Sequence, residues 1–204
     1  MASQDQAAKS NASGAGVSHA VADLVEQIRN GKEDVRAKAW QHAFIAGPGA
    51  LDPLAALIPE SELEVGRAAR RAMWKIVRHA GRPGAEAERA AAERELLGLC
   101  RDQPPAVVAR DVVWMLSELG GDHAVAAIAR LLASEEVRED ARMALERIPG
   151  EKSLTALQAA LADAPDEFKL NLAQSLRRRG EEVAGLPCRK LVPTRGTKVT
   201  PVGR

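Results

Sequence analysis

The sequence predicts an all-α protein, folded as a stack of about five antiparallel helix pairs. Three observations predict it. Strong helix formers dominate the composition. An apolar stripe of helical period recurs at intervals near 30 residues. Glycine and proline fall between the predicted helices.

Composition sets the class. Of 204 residues, 46% are apolar but only 2% are aromatic, and tyrosine is absent. Ala, Leu, Arg and Glu fill the chain, and these propagate helices well. A β-sandwich would need Val, Ile, Thr and aromatic runs, which are scarce.

The clearest unit starts at Glu136-Val137-Arg138 and runs to Ile148-Pro149-Gly150. Counting from Val137 as zero, apolar residues stand at offsets 0, 4, 7, 8 and 11, one face of a helix. Val65 begins the same register with Ala69, Ala72, Met73 and Ile76. Val108 begins it with Val112, Met115, Leu116 and Leu119. Phe168 leads to Leu172 and Leu176, and Val35 to Ala39, Ala43 and Ala46, with His42 on the core side. The starts at 35, 65, 108, 137 and 168 are 30, 43, 29 and 31 residues apart. The long interval holds an insertion, Gly81-Arg82-Pro83-Gly84 and a helix from Ala85 to Arg101.

A partner helix precedes each of these. Val21, Leu24, Val25 and Ile28 make the first apolar face. Leu51, Leu54, Leu57 and Ile58 make the second, and Ala92, Leu96, Leu97 and Leu99 the third. Val125, Ile128, Leu131 and Leu132 make the fourth, and Leu154, Leu157 and Leu161 the last.

Boundaries follow from capping chemistry. Gly47, Gly81, Gly120, Gly150 and Gly180 are expected as left-handed C-caps of the second helices. Asp122 and Ser18 are expected N-caps, Asp52-Pro53 an N-cap/N1 pair, and Ser61 to Glu64 a capping box. Helices of about 11 to 17 residues, about ten in number, fit a repeat array better than a four-helix bundle.

The unit Glu-Val-Arg-x-x-Ala-x-x-Ala-Leu-x-x-Ile, read at residues 136–148, resembles the short HEAT-like repeat also known from phycobilisome lyases. The resemblance covers roughly residues 18–180. It implies a right-handed α-α superhelix, an armadillo-like α solenoid whose second helices line the concave face. It names no partner, because fold does not fix activity.

Residues opposite the buried stripe are the candidates for use. Offsets 2, 6 and 9 point away from the core, and 5, 10 and 13 flank them. In the second repeat these are Arg67, Arg71 and Trp74, with Arg70, Lys75 and Arg78 around them. The third supplies Arg110 and Trp114, the fourth Arg142 and Met143, and the first Phe44 with Trp40 on its flank. Indoles among guanidinium groups are the composition of binding hot spots. The candidate partner-binding set is therefore Arg67, Arg70, Arg71, Trp74, Arg110, Trp114 and Arg142.

The net charge is only +1, so any basic surface must be local. Arginines crowd the second helices, and many acids fall in the first, Asp23, Glu26, Glu86, Glu88, Glu93 and Glu95 among them. A basic inner face and an acidic outer one are expected. Residues 1–17 are expected as a flexible tail, 18–182 as the array, and 183–204 as a basic proline-containing arm, disordered or as a short hairpin around Arg195-Gly196.

Enzyme motifs are missing from the sequence. The four histidines, His19, His42, His79 and His123, are each followed by alanine, so the His-Glu pairs of HEAT-repeat di-iron hydroxylases do not occur. No phosphate loop, zinc-protease or serine-nucleophile motif occurs. No catalytic, cofactor or metal residue is assigned. HEAT-like alkylpurine DNA glycosylases use a basic, Trp-lined groove with an aspartate, and Asp111, Trp74, Trp114 and Arg110 are the matching residue types. No motif aligns residue by residue, so no catalytic role carries over. The expectation is a cytoplasmic, non-catalytic scaffold holding an acidic protein or peptide, with nucleic acid as the alternative partner and no membrane span.

Overall fold

The computed structural model describes residues 19–60, 62–101 and 104–188. Among these residues are ten α-helices and no strand. In order they are α1 (19–30), α2 (Glu33–Gln41), α3 (Leu51–Ala55), α4 (Leu63–Ala80) and α5 (Glu86–Arg101). There follow α6 (Ala106–Leu119), α7 (Asp122–Arg130), α8 (Arg138–Arg147), α9 (Glu151–Asp163) and α10 (Asp166–Arg178). Short 3-10 turns at Ala43–Ala46, Pro48–Ala50 and Leu131–Ala133 complete the connections.

The expected second helices are α2, α4, α6, α8 and α10, each starting within two residues of the sequence register. α4 shows why they form. Its 18 residues lack proline and bury Val65, Ala69, Ala72, Met73 and Ile76 on one side. Arg67, Arg71, Lys75 and Arg78 stay exposed on the other. Burying a side chain such as Met73 or Ile76 is worth about 1.5–3 kcal/mol, and cutting either to alanine should cost about 2–5 kcal/mol. The stripes of α6, α8 and α10 are likewise buried; only Val35 of α2 departs, at 38% exposed.

The helices contact one another in two series. α2, α4, α6, α8 and α10 touch in succession, and α3, α5, α7 and α9 do the same. Rungs between the series pair α3 with α4, α5 with α6, α7 with α8 and α9 with α10. One continuous core runs from Leu24 and Ile28 of α1 to Leu172 and Leu176 of α10. Alanine is common in it, so helix backbones approach closely.

Three arginines fasten helix ends. Arg36 Nε donates to the Ile28 carbonyl at the end of α1, at 2.8 Å. Arg89 of α5 donates through Nε and Nη2 to the Leu119 carbonyl ending α6, at 2.8 and 2.5 Å. Arg179 reaches the carbonyls of Leu145, Ile148 and Gly150 at 2.8–3.1 Å, and Ser153 Oγ at 2.9 Å. The last carbonyls of a helix lack internal donors and carry its negative dipole end, so a guanidinium there satisfies both.

Several capping expectations need correction. Gly47, Gly150 and Gly180 have positive φ, but Gly47 and Gly150 are extended in ψ, at −175° and 170°, Gly150 caps the start of α9, and Gly81 and Gly120 have φ of −79° and −73°. Gly120 is required for space: a Cβ there would stand 2.6 Å from Ala124 Cβ and 2.7 Å from the Leu116 carbonyl oxygen. Asp52 and Pro53 lie inside α3, because the turn at Pro48 starts that helix early. Asp122 is the first residue of α7, and the cap before it is Gly121. His42 is exposed, not turned to the core, because α2 ends at Gln41 and the chain tightens into a 3-10 turn. Its Nδ1 lies 3.0 Å from the Lys38 carbonyl. Ser18 and Ser61, the tail to residue 17 and the arm from residue 189 lie outside the described residues.

Among the described residues no helix is long and apolar enough to cross a membrane.

Candidate functional site

The even-numbered helices bring the seven candidate residues onto one series of packed elements. Arg67, Arg70, Arg71 and Trp74 come from α4, Arg110 and Trp114 from α6, and Arg142 from α8. All three tryptophans are half-buried and each lies under a cation. Arg71 sits 5.4 Å from the Trp40 ring centre and Lys75 sits 6.0 Å from it. Arg78 lies 5.1 Å from the Trp74 ring, and Arg147 5.5 Å from that of Trp114. A cation over an indole face is worth about 0.5–1 kcal/mol when exposed, and it half-covers a ring that water would otherwise meet.

The charges divide into two populations. On α6, α8 and α10, and at Arg70 of α4, the arginines are engaged. Arg70 Nε reaches Asp111 Oδ2 at 2.5 Å, joining α4 to α6. Arg110 donates to the Glu136 carbonyl at 2.8 Å and lies 3.6 Å from Asp140. Trp114 Nε1 donates to Asp140 Oδ1 at 2.9 Å. Arg142 pairs with Glu139 at 2.8 Å and Glu146 at 3.3 Å, and donates to Ser175 Oγ of α10 at 2.5 Å. The Ser175 hydroxyl in turn donates to Glu146 at 2.7 Å, and Arg178 adds a contact at 3.0 Å. Asn171 of α10 donates to Glu139 of α8.

Burial pushes the Asp111 carboxyl above its usual range. The bond and charge of Arg70 pull it back, and the charge of Asp140 pushes it further.

α4 is different. Arg67, Arg71, Lys75 and Arg78 follow one another at spacings of four, four and three residues. They form one exposed ridge about 16 Å long at 1.5 Å per residue. Arg67 is paired with Glu64 at 2.7 Å, an exposed contact within one turn. Among the described residues no carboxylate lies within 4.0 Å of Arg71, Lys75 or Arg78. Three such cations therefore follow one another on the last three turns of α4, beside Trp40 and Trp74.

Sequence reasoning reached the cations and not their pairing: Asp111 was expected beside Arg110 or Arg138 and meets Arg70. Asp111, Asp140 and Asn171 each stand three residues after a stripe start, and each reaches back to the preceding even-numbered helix. That recurrence was present in the sequence. The engagement of Arg36, Arg89 and Arg179 with carbonyls had no such signal, since a backbone oxygen leaves no mark in composition.

No group of three or more His, Cys, Asp or Glu residues gathers as a metal site among the described residues. Neither a protein-family model nor a curated protein matches the chain.

Proposed function

We propose that the chain is a non-catalytic, HEAT-type scaffold that holds an acidic segment of a partner protein along α4. In this reading five helix pairs wind as a right-handed superhelix, and the even-numbered helices line its concave side. The two series of contacts support that winding, because each pair touches its neighbours. The observation that carries the function is the line of Arg71, Lys75 and Arg78 without carboxylate partners, flanked by two half-buried indoles. Cations, aromatic rings and a solvent-facing helix are what an acidic peptide needs for contact.

An acidic protein suits this surface better than nucleic acid. The ridge is one helix wide. Beyond it Asp111, Asp140, Glu139 and Glu146 meet the arginines of the next helices. A phosphate chain crossing α6 and α8 would run over those carboxylates, whereas nucleic-acid tracks keep one sign of charge along their length. A DNA-glycosylase reading needs Asp111 available to a base, and Arg70 already engages it. Both cysteines stand free, which suits the reducing cytoplasm.

The test is binding of a fluorescent glutamate-rich peptide, single-stranded DNA and duplex DNA to the whole chain at low salt. The peptide should bind, and joint substitution Arg71→Glu with Lys75→Glu should abolish the signal while helicity by circular dichroism persists. DNA binding with a steep salt slope, and no peptide binding, would overturn the proposal.

A further inference from the structure

The even-numbered helices are joined rung by rung through one repeat position, and one rung lacks the joint. Three residues past each stripe start after the first stand Ala68, Asp111, Asp140 and Asn171. Asp111 meets Arg70 of α4, Asp140 meets Trp114 and Arg110 of α6, and Asn171 meets Glu139 of α8. Ala68 has no polar group to reach α2. In that place a cleft of about 380 Å³ remains between α2 and α4. Trp40, Ala37 and Ala68 give it apolar surface, and Arg71, Arg36, Glu33 and Glu64 complete its lining, with Arg36 held 3.0 Å from Glu62.

The cleft is continuous with the cationic ridge, because Arg71 belongs to both. It has a polarity. Glu33 and Glu64 lie in the first turns of α2 and α4. Arg71, Lys75 and Arg78 follow further along α4. Charge is mixed on the first side, where Arg36 lines the cleft and Arg67 pairs with Glu64, and of one sign on the other, so the acidic residues of a bound segment are favoured on the Arg71 side.

We propose that this cleft is the anchor pocket of the partner site, taking one apolar side chain of the bound segment. Acidic residues on one side of that anchor then lie along Arg71, Lys75 and Arg78. The inference rests on the acidic-partner reading and adds what that reading leaves open: an apolar anchor, and acids on one side of it only. The anchor supplies buried apolar area against Trp40, and the carboxylates set direction.

Four labelled peptides test it by fluorescence anisotropy with the full chain. Each has four glutamates. Two carry leucine at the first or last position, and two carry alanine instead. One leucine peptide should bind about tenfold more tightly than its alanine counterpart, the scale of a filled apolar pocket. Ala68→Leu should remove that preference while leaving the alanine peptides bound as before. Ala37→Leu fills the same cleft from α2 and should act alike, which covers the case that Ala68→Leu does not fold. If leucine and alanine peptides bind equally, and all are lost with Arg71→Glu and Lys75→Glu, the anchor pocket is wrong and the ridge stands. If no peptide binds, both fall. A leucine preference that survives both cleft-filling variants also overturns the pocket.

Discussion

Trp114 Nε1 donates to Asp140 Oδ1 at 2.9 Å, so an indole of α6 is tied to a carboxylate of α8. The same carboxylate takes Arg110 at 3.6 Å, and Arg147 lies 5.5 Å from the indole ring centre. The ring thus joins one pair to the next, and its polar edge is satisfied within the fold. Trp114→Phe keeps most of the apolar surface and removes the donor. It should lower unfolding free energy by about 0.5–1.5 kcal/mol in urea titrations. A double-mutant cycle with Asp140→Asn should return a coupling of similar size. Coupling indistinguishable from zero would show that the bond does not stabilise the α6–α8 rung.

Asp111 gives a pH dependence of definite sign. Burial raises its folded-state value above the ordinary 3.8, against the pull of Arg70. The folded chain then holds this proton more tightly than the unfolded one, so the contribution of Asp111 to stability is greatest below 3.8 and falls as pH rises through the raised value. Asp111→Asn cannot titrate. The stability difference, wild type minus Asp111→Asn, should therefore shrink as pH rises from the ordinary value toward neutrality. A difference that grows with pH would mean that the Arg70 charge outweighs the burial penalty.

How much of this was legible depends on the kind of interaction. The stripes through Val65, Val108, Val137 and Phe168 were readable because burial of every third or fourth residue has a period. Helix ends were less so. Gly120 was expected for its backbone freedom and is needed for its missing Cβ, a distinction that only the position of Ala124 makes. His42 fitted the periodic face, but the helix stops one residue before it. On the candidate site, the position of the cations on the even-numbered helices was readable and their pairing was not. Arg70 and Arg71 are adjacent in sequence, yet one meets Asp111, 41 residues away, and the other has no carboxylate partner among the described residues.

Two neighbouring glycines should respond unequally to alanine. At Gly120 a Cβ would press on Ala124 Cβ at 2.6 Å and on the Leu116 carbonyl oxygen at 2.7 Å, where backbone and core cannot easily yield. At Gly121 nothing lies within 4 Å of the added carbon. Gly120→Ala should cost about 1–3 kcal/mol through overpacking. Gly121→Ala should cost less, about 0.5 kcal/mol, as alanine is the poorer N-cap for α7. Thermal melts of the two variants decide it. Equal melting temperatures would show that the α6–α7 connection shifts to accept the methyl group.

The two cysteines should separate cleanly in reactivity. Cys100 is 8% exposed, and burial pushes its thiol up to about 11, with the charge of Arg130 pulling modestly the other way. At pH 8 only about one Cys100 thiol in a thousand is the reactive thiolate. Cys188 is exposed. Iodoacetamide at pH 8 should therefore label Cys188 first, and Cys100 rapidly only after denaturation, as peptide mass spectrometry would resolve. Access is not the whole barrier, since Cys100 also lines a cleft of about 480 Å³ among α5, α6, α7 and the segment that leads into α8. Well below its pKa the thiolate fraction grows about tenfold per pH unit, so the Cys100 rate should rise by that factor between pH 8 and 9. Arg130→Gln removes the favourable charge and should slow it at both pH values. A Cys100 rate that is flat across this range would mean that ionisation does not limit the reaction, and the burial account of this thiol would fail.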